Sequence, residues 1–451
     1  RRRRGVALLQ SPNELKIAFV GNIANNFFRE VRAVRSESSL HADLYFFSGE
    51  ATHESYRPES DLPHLRDNYP EWIVTLPFPS TTELVFLSFG LPNKCSPAVR
   101  NTIERLNTYD VVFLSGLESL LAPSLHNTTI FRVTGGDFTV KPFYLRHLRL
   151  IGLTSGWRQL VKPLTLLNSL LGSLLQGRAI RRSEFISFRQ SASPYQDAKK
   201  KLGIPTNKVL PGRRLVVDSD LFSPSSKTKD EAHSDDFTIF LPSRAQMSTS
   251  RLMRISGQYK GTEVAIKGVA AFLASLPDPD RKRVKVKVPA TAMSDQINDL
   301  RDLVTDLQIL DNVAFLGTTS SSYLDRQEMI AEYQEASVTL DDFGAGWYGS
   351  IVVEALSCGS PVITWVSPAV LAEFDWHPLL IAQDADTIAA HLTCLFRASD
   401  REVASVKSRG IDWIRQYHSA ASGTAELITL LTEIGNRRGK AAEEPATHLQ
   451  M

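Results

Sequence analysis

The stretch Ser337–Val366, SVTLDDFGAGWYGSIVVEALSCGSPVITWV, holds the residues whose types and spacing best suit chemistry. An apolar run ends in Asp341 and Asp342, a glycine-rich loop follows, and a helical pattern begins near Ser350. Free N–H groups at a helix start, with the positive end of the helix dipole, suit a phosphate. Gly349 and Ser350 stand at that start. Glu354 lies about one turn inside, where its carboxylate would meet whatever is attached to the phosphate. Gly359 then stops the helix and Pro361 prevents its continuation. The same order also serves as an ordinary strand–loop–helix unit, so the rest of the chain has to decide.

This stretch resembles the sugar-donor signature of the retaining family-4 glycosyltransferases, a pattern like E-G-F-G-x-x-x-x-E-A-x-A-C-G-x-P-V. The match runs through Gly349, Glu354, Ala355, Cys358, Gly359, Pro361 and Val362, with Trp347 and Tyr348 in the preceding places. Gly346 stands where the family has its first Glu, the residue that contacts the transferred sugar. Asp341 or Asp342 is the candidate to replace it, and Asp342 is taken here as catalytic. A second resemblance is VVDSDLFSP at Val216–Pro224, similar to the family's interdomain G-V-D-x-x-x-F-x-P. A third is LPSR at Leu241–Arg244, followed by Lys260–Gly261 after the insertion Ala245–Tyr259. The resemblance implies that Arg244 and Lys260 neutralise the donor diphosphate, which suits a departing anion. It also implies that Glu354 takes the donor ribose.

In the amino-terminal half, GNIANNFFREVRAVR at Gly21–Arg35 is similar to the family's first loop and helix. Gly21 and Asn22 would form that loop, glycine allowing close backbone approach. FRVTGGD at Phe131–Asp137 resembles the strand-end G-x-D element that faces the cleft, and makes Asp137 a second catalytic candidate. WIRQYHS at Trp413–Ser419 is similar to the terminal helix that crosses back onto the first domain.

The elements that must position these residues are legible from periodicity. Apolar runs at 15–20, 42–47, 110–114, 129–134 and 185–188 alternate with polar or helical segments of crossover length. A second series starts at Phe237–Leu241 and continues through strands at 284–288, 312–316, 337–340 and 361–366. Helices are expected between them at 262–276, 293–307, 323–335 and 350–357. The fold class expected is α/β of the GT-B type, two Rossmann-like doubly wound domains facing a central cleft. Residues 1–14 read as a tail, 15–219 as the acceptor domain and 220–434 as the nucleotide-sugar domain with its returning helix. Residues 435–451 read as a disordered tail.

Length and composition agree with two domains. The chain has 451 residues, 43% apolar and 22% charged, which is ordinary globular composition. Its three cysteines, Cys95, Cys358 and Cys394, form no C-x-x-C pair, so neither a zinc knuckle nor a disulfide framework is supported. No G-x-G-x-x-G follows the first strand, and no Walker loop, G-x-S-x-G or H-E-x-x-H occurs. Between Thr139 and Val216 stand 15 Lys/Arg against two acids, Glu184 and Asp197, a basic half beside an acidic remainder. Those charges are interleaved with Leu and Ile rather than with stacking aromatics, which points to an anionic membrane surface and away from nucleic acid. The run Leu160–Leu175 is too short and too interrupted to span.

The expectation is a cytoplasmic transferase at or near the inner membrane face. It moves a sugar from a UDP- or GDP-linked donor to a glycan or lipid-linked hydroxyl acceptor with retention, without cofactor or metal. The alternative class is a non-catalytic GT-B homologue that binds nucleotide or a partner protein.

Overall fold

The computed structural model describes residues 15–48, 57–143, 163–225, 236–243, 245, 259–289, 297–317 and 324–443. Among the described residues thirteen strands form two sheets, and every pairing in both is parallel. The first contains β1 (Lys16–Val20), β2 (His41–Phe47), β3 (Ile73–Leu76), β4 (Val111–Leu114), β5 (Thr128–Arg132), β6 (Phe185–Phe188) and β7 (Val209–Pro211). Its order is β3-β2-β1-β4-β5-β6-β7. The second contains β8 (Phe237–Phe240), β9 (Val284–Pro289), β10 (Val313–Leu316), β11 (Val338–Asp341), β12 (Val362–Thr364) and β13 (Leu380–Ile381), in the order β10-β9-β8-β11-β12-β13. Each order reverses once, between β1 and β4 and between β8 and β11. Such reversals open a crevice at the carboxyl ends of the strands, where ligands of doubly wound sheets bind.

Parallel strands need helical crossovers, and these cover both faces. The first sheet carries α1 (Asn26–Glu37), α2 (Thr81–Ser88), α3 (Pro97–Leu106), α4 (Pro163–Arg182) and α5 (Ser193–Leu202). The second carries α6 (Thr262–Ala274), α7 (Ile297–Asp306), α8 (Arg326–Glu335), α9 (Ser350–Ser357), α10 (Ala385–Arg397) and α11 (Asp400–Tyr417). Full burial of β1 and β4 beyond their first residues follows from their unbroken apolar runs, and β2 is as buried with Asp43 inside its run. One face of the first sheet packs Phe27, Val31 and Val34 of α1 together with Leu427, Leu430, Leu431 and Ile434 of the last helix, α12 (Ala420–Glu443). The chain thus returns from the second sheet to finish the core of the first.

One boundary differs from the sequence reading. Residues 435–443 continue α12 rather than starting a disordered tail. Arg437 explains this: it pairs with Glu433 and donates to the carbonyls of Asn207 and Val209, each at 3.0 Å. The edge strands β3, β7 and β13 were not expected, being short and flanked by Pro, Trp or charged residues. Residues 226–235, which follow the interdomain segment Val216–Pro224, lie outside the described residues.

Candidate functional site

On the first sheet the loops leaving β1 and β4 pack directly together. Gly21 has φ +102°, and a Cβ there would meet Ser115 Oγ at 2.5 Å, so only glycine lets the two loops touch. Asn22 is buried; its Nδ2 donates to Asn25 Oδ1 at 2.6 Å and its Oδ1 accepts from Phe28 N at 3.0 Å. Both expected loop residues therefore shape the start of α1.

Asp137 is also buried. Its carboxylate accepts from Thr134 N at 3.1 Å, Thr134 Oγ1 at 2.9 Å and Gly116 N at 3.3 Å. Burial raises its pKa, and the Thr134 bonds oppose the rise. The side chain braces its own loop against the β4 loop, and Gln176 of α4 donates to the backbone carbonyls of Gly116 and Asp137 behind it.

On the second sheet the corresponding loops bring together Ser243, Lys260, Asp341 and Asp342. Lys260 Nζ lies 2.7 Å from Asp342 Oδ2. Asp342 sits at φ 46° and its other oxygen accepts from Gly344 N and Ala345 N at 3.1 and 2.8 Å. Phe343 N donates to Lys260 O at 2.8 Å, so the lysine is stitched to the loop by side chain and backbone. Asp341 accepts from Ser243 Oγ, and its Oδ2 meets no donor among the described residues. Burial pushes its pKa up while Lys260 pulls the other way. Arg244 lies outside the described residues.

The helix that follows shares an uncapped start with α1, α3, α5 and α6. Helices α2, α8 and α11 each begin with a capping box, from Ser80, Asp325 and Ser399. Helix α9 begins at Gly349 with no side-chain cap, and a Cβ at Gly349 would meet no atom within 4 Å. Val352 N turns back onto Gly349 O at 3.2 Å, which leaves the N–H groups of Ser350 and Ile351 to an outside acceptor. Gly346 has φ +76°, which explains a glycine where the resembled family has Glu: the loop bends through a region that side-chain-bearing residues avoid.

Glu354 is placed differently from an open ribose ligand. It is 3% exposed and its Oε1 lies 2.7 Å from Arg29 Nη1 of α1, across the boundary between the two sheets. Arg326 Nη1 approaches the same oxygen at 3.3 Å, and Tyr333 Oη donates to Oε2 at 3.4 Å. Arg29 also grips Asp61, Nε to Oδ2 at 2.7 Å and Nη2 to Oδ1 at 3.3 Å, and Arg326 Nε reaches Asp61 Oδ1 at 2.9 Å. Phe222 of the interdomain segment lies 5.1 and 5.6 Å from the two guanidinium carbons. Burial opposes the charge on Arg29, but Asp61 and then Glu354 outweigh it and hold its pKa above the usual arginine value. Asp61 is held below the usual range because Arg29 and Arg326 outweigh its burial.

Sequence reasoning missed Arg29, Asp61 and Arg326. A signal did exist for Arg29, a charge inside the apolar run NFFREV on the buried face of a helix. Asp61 and Arg326 carried none, since their roles arise only when distant segments meet. Among the described residues no three His, Cys, Asp or Glu side chains group as a metal site.

These two sheets and their facing loops define the GT-B architecture, and comparison with solved structures agrees. HepE from Anabaena, solved with UDP and glucose, superposes with a TM-score of 0.57 at 13% identity over 93% of this chain and all of that one. A glycosyltransferase from Rickettsia africae gives 0.58 at 13%, covering 94% and 99% of the two chains. Sucrose-phosphate synthase from Thermosynechococcus elongatus gives 0.56 at 14%, covering 95% and 100%. In sequence, the D-inositol 3-phosphate glycosyltransferase of Corynebacterium aurimucosum is 25% identical over 212 residues. That alignment covers 46% of this chain and 48% of the relative, so the match spans about half the length of each. No protein-family profile matches.

Proposed function

We propose that the chain transfers a glycosyl group from a UDP- or GDP-linked sugar to a hydroxyl acceptor, with retention at the anomeric carbon. The observation that carries this reading is the paired Lys260 and Asp342 at the beginning of the loop that ends in the uncapped start of α9, at the β8/β11 reversal. The bond from the sugar carbon to the diphosphate breaks as the acceptor oxygen bonds to that carbon, and the acceptor proton leaves with the nucleoside diphosphate. Lys260, Arg244 and the N–H groups at Gly349 and Ser350 stabilise the growing negative charge, which such fixed donors do without reorganisation. Asp342 faces the sugar in place of the missing Glu, Asp137 holds the acceptor-side loop, and Glu354 is the ribose carboxylate. No metal or cofactor enters the scheme. The acceptor is a glycan or a lipid-linked hydroxyl, met at an anionic membrane face in the cytoplasm.

A second reading has its own observation. Glu354 is already satisfied by Arg29 and Arg326, as expected for a GT-B protein that has lost turnover and binds a nucleotide or a protein instead. Thermal-shift titration with UDP, GDP, ADP and CMP, without metal, tests both. Ligand at a hundredfold excess over its Kd adds about 2.7 kcal/mol of stability. The transfer reading expects a shift for one nucleoside diphosphate, lost in Lys260→Ala, and consumption of the matching sugar donor. A shift without consumption supports the second reading, and no shift with any nucleotide removes the donor site altogether.

A further inference from the structure

Helix α2 ends in a closed turn rather than a frayed one. Gly90 (φ +73°) donates from its N–H to Leu87 O at 2.9 Å, and Leu91 N donates to Phe86 O at 2.9 Å. That closure holds the side chains on either side of the glycine outward: Phe89 is 52% exposed and Leu91 44%. Leu174 of α4 is 56% exposed, and Arg178, four residues on, lies beside it on the same helix face. The Arg178 guanidinium in turn covers the Phe89 ring at 4.4 Å and donates to Ser88 O at 3.3 Å. Phe89, Arg178 and Leu174 are therefore contiguous, with half-buried Leu84, Val85 and Leu171 beneath them. Exposed Arg181 and Arg182 continue the end of α4, and exposed Lys94 follows Leu91. Large apolar side chains held rigidly in water beside several cations and few acids match a surface that is both apolar and anionic.

We propose that this α2–α4 face docks on an anionic lipid bilayer. Among the described residues no helix is long and apolar enough to cross a membrane. The opposite, buried face of α4 reaches the cleft, where Gln176 holds the Gly116 and Asp137 carbonyls at 3.3 and 3.0 Å. A bilayer beneath α4 thus lies next to the acceptor side of the cleft. This placement rests on the proposed transfer reaction for the acceptor's identity, while docking itself needs no turnover.

The test is flotation of the full chain with vesicles of phosphatidylcholine alone and of phosphatidylcholine with phosphatidylglycerol. Binding is expected only to the anionic vesicles. Each basic residue near such a surface contributes roughly fivefold, so Arg181→Gln/Arg182→Gln should weaken binding by about 25-fold. Phe89→Ser/Leu174→Ser should reduce it by at least tenfold at an unchanged melting temperature, since both side chains are exposed. Equal binding to neutral vesicles, no binding to either, or binding untouched by both variants overturns the proposal, as does preference for a single-stranded RNA over anionic vesicles. The nucleotide titration is run in parallel. Vesicle binding without a nucleotide shift keeps this surface and removes the transfer reaction, and the converse result does the opposite.

Discussion

At the scale of single residues, the glycine at 346 is the clearest departure from the resembled signature, and the backbone accounts for it. At φ +76° a side chain strains the main chain although an added Cβ would make only ordinary contacts, with Trp365 Nε1 at 3.5 Å and Ser367 Cβ at 3.7 Å. Restoring the family residue is therefore not a repair. Gly346→Glu is expected to lower stability by about 1 kcal/mol, the penalty for an L-residue in the left-handed region, without raising donor turnover. Thermal melts and a donor-consumption assay check the two halves. The neighbouring pair carries the opposite expectation. Asp342→Asn leaves the backbone bonds to Gly344 and Ala345 available but uncharges the partner of Lys260. Turnover should fall at least a hundredfold while melting changes by only a few degrees. Wild-type turnover in that variant would remove Asp342 from the reaction.

At the scale of elements, the strands that the sequence makes visible are those buried on both faces, because an unbroken apolar run has no other use in a parallel sheet. β4, and β1 beyond its first residue, are of this kind, while β2 and β11 are as buried although Asp43 interrupts one and Thr339 and Asp341 the other. Strands β3 and β13 escape because both are partly exposed at sheet edges, and β7 because its three residues end in Pro211. The α9 loop was legible because glycines and a helix start announce themselves locally, whereas the joint between α11 and α12 was not. There His418 is fully buried, its Nδ1 2.7 Å from Leu215 O and its Nε2 3.2 Å from Tyr348 Oη. Burial depresses its pKa to about 3. A base held neutral in the fold but free to take a proton when unfolded stabilises the fold fully above about pH 6.5. That contribution is lost as pH falls from there toward 3, by up to about 1.4 kcal/mol per unit. His418→Asn, whose amide stands where Nδ1 does and keeps a donor for Leu215 O, should therefore flatten the acid limb of melting temperature against pH by one proton. An unchanged slope would place that proton on another group.

At the scale of the whole molecule, the two sheets meet through contacts that also involve the donor side. Tyr195 of α5 stacks on Trp347 at 5.2 Å, Arg32 pairs with Asp218, and the buried cluster of Arg29, Asp61, Arg326 and Glu354 joins α1 to α9. Breaking a buried ion pair from one side costs about 3–5 kcal/mol, because the partner is left charged and dry. Arg29→Met and Glu354→Gln should each be destabilising in urea titrations, and the double variant should fall short of their sum by about 1–3 kcal/mol. Nucleotide affinity then reports what the cluster does beyond holding the halves together. If Glu354 is the ribose carboxylate, a ribose hydroxyl has to replace a guanidinium on it, and Arg29 competes with the donor. Arg29→Met should then bind the matching nucleoside diphosphate about tenfold more tightly by calorimetry, the worth of one hydrogen bond to a charged acceptor. Affinity that is unchanged in Arg29→Met and also in Glu354→Gln would make the cluster a purely structural clasp, with the ribose read elsewhere. The two variants together separate a gate from a clasp, because a gate responds in opposite directions to losing its cation and losing its carboxylate.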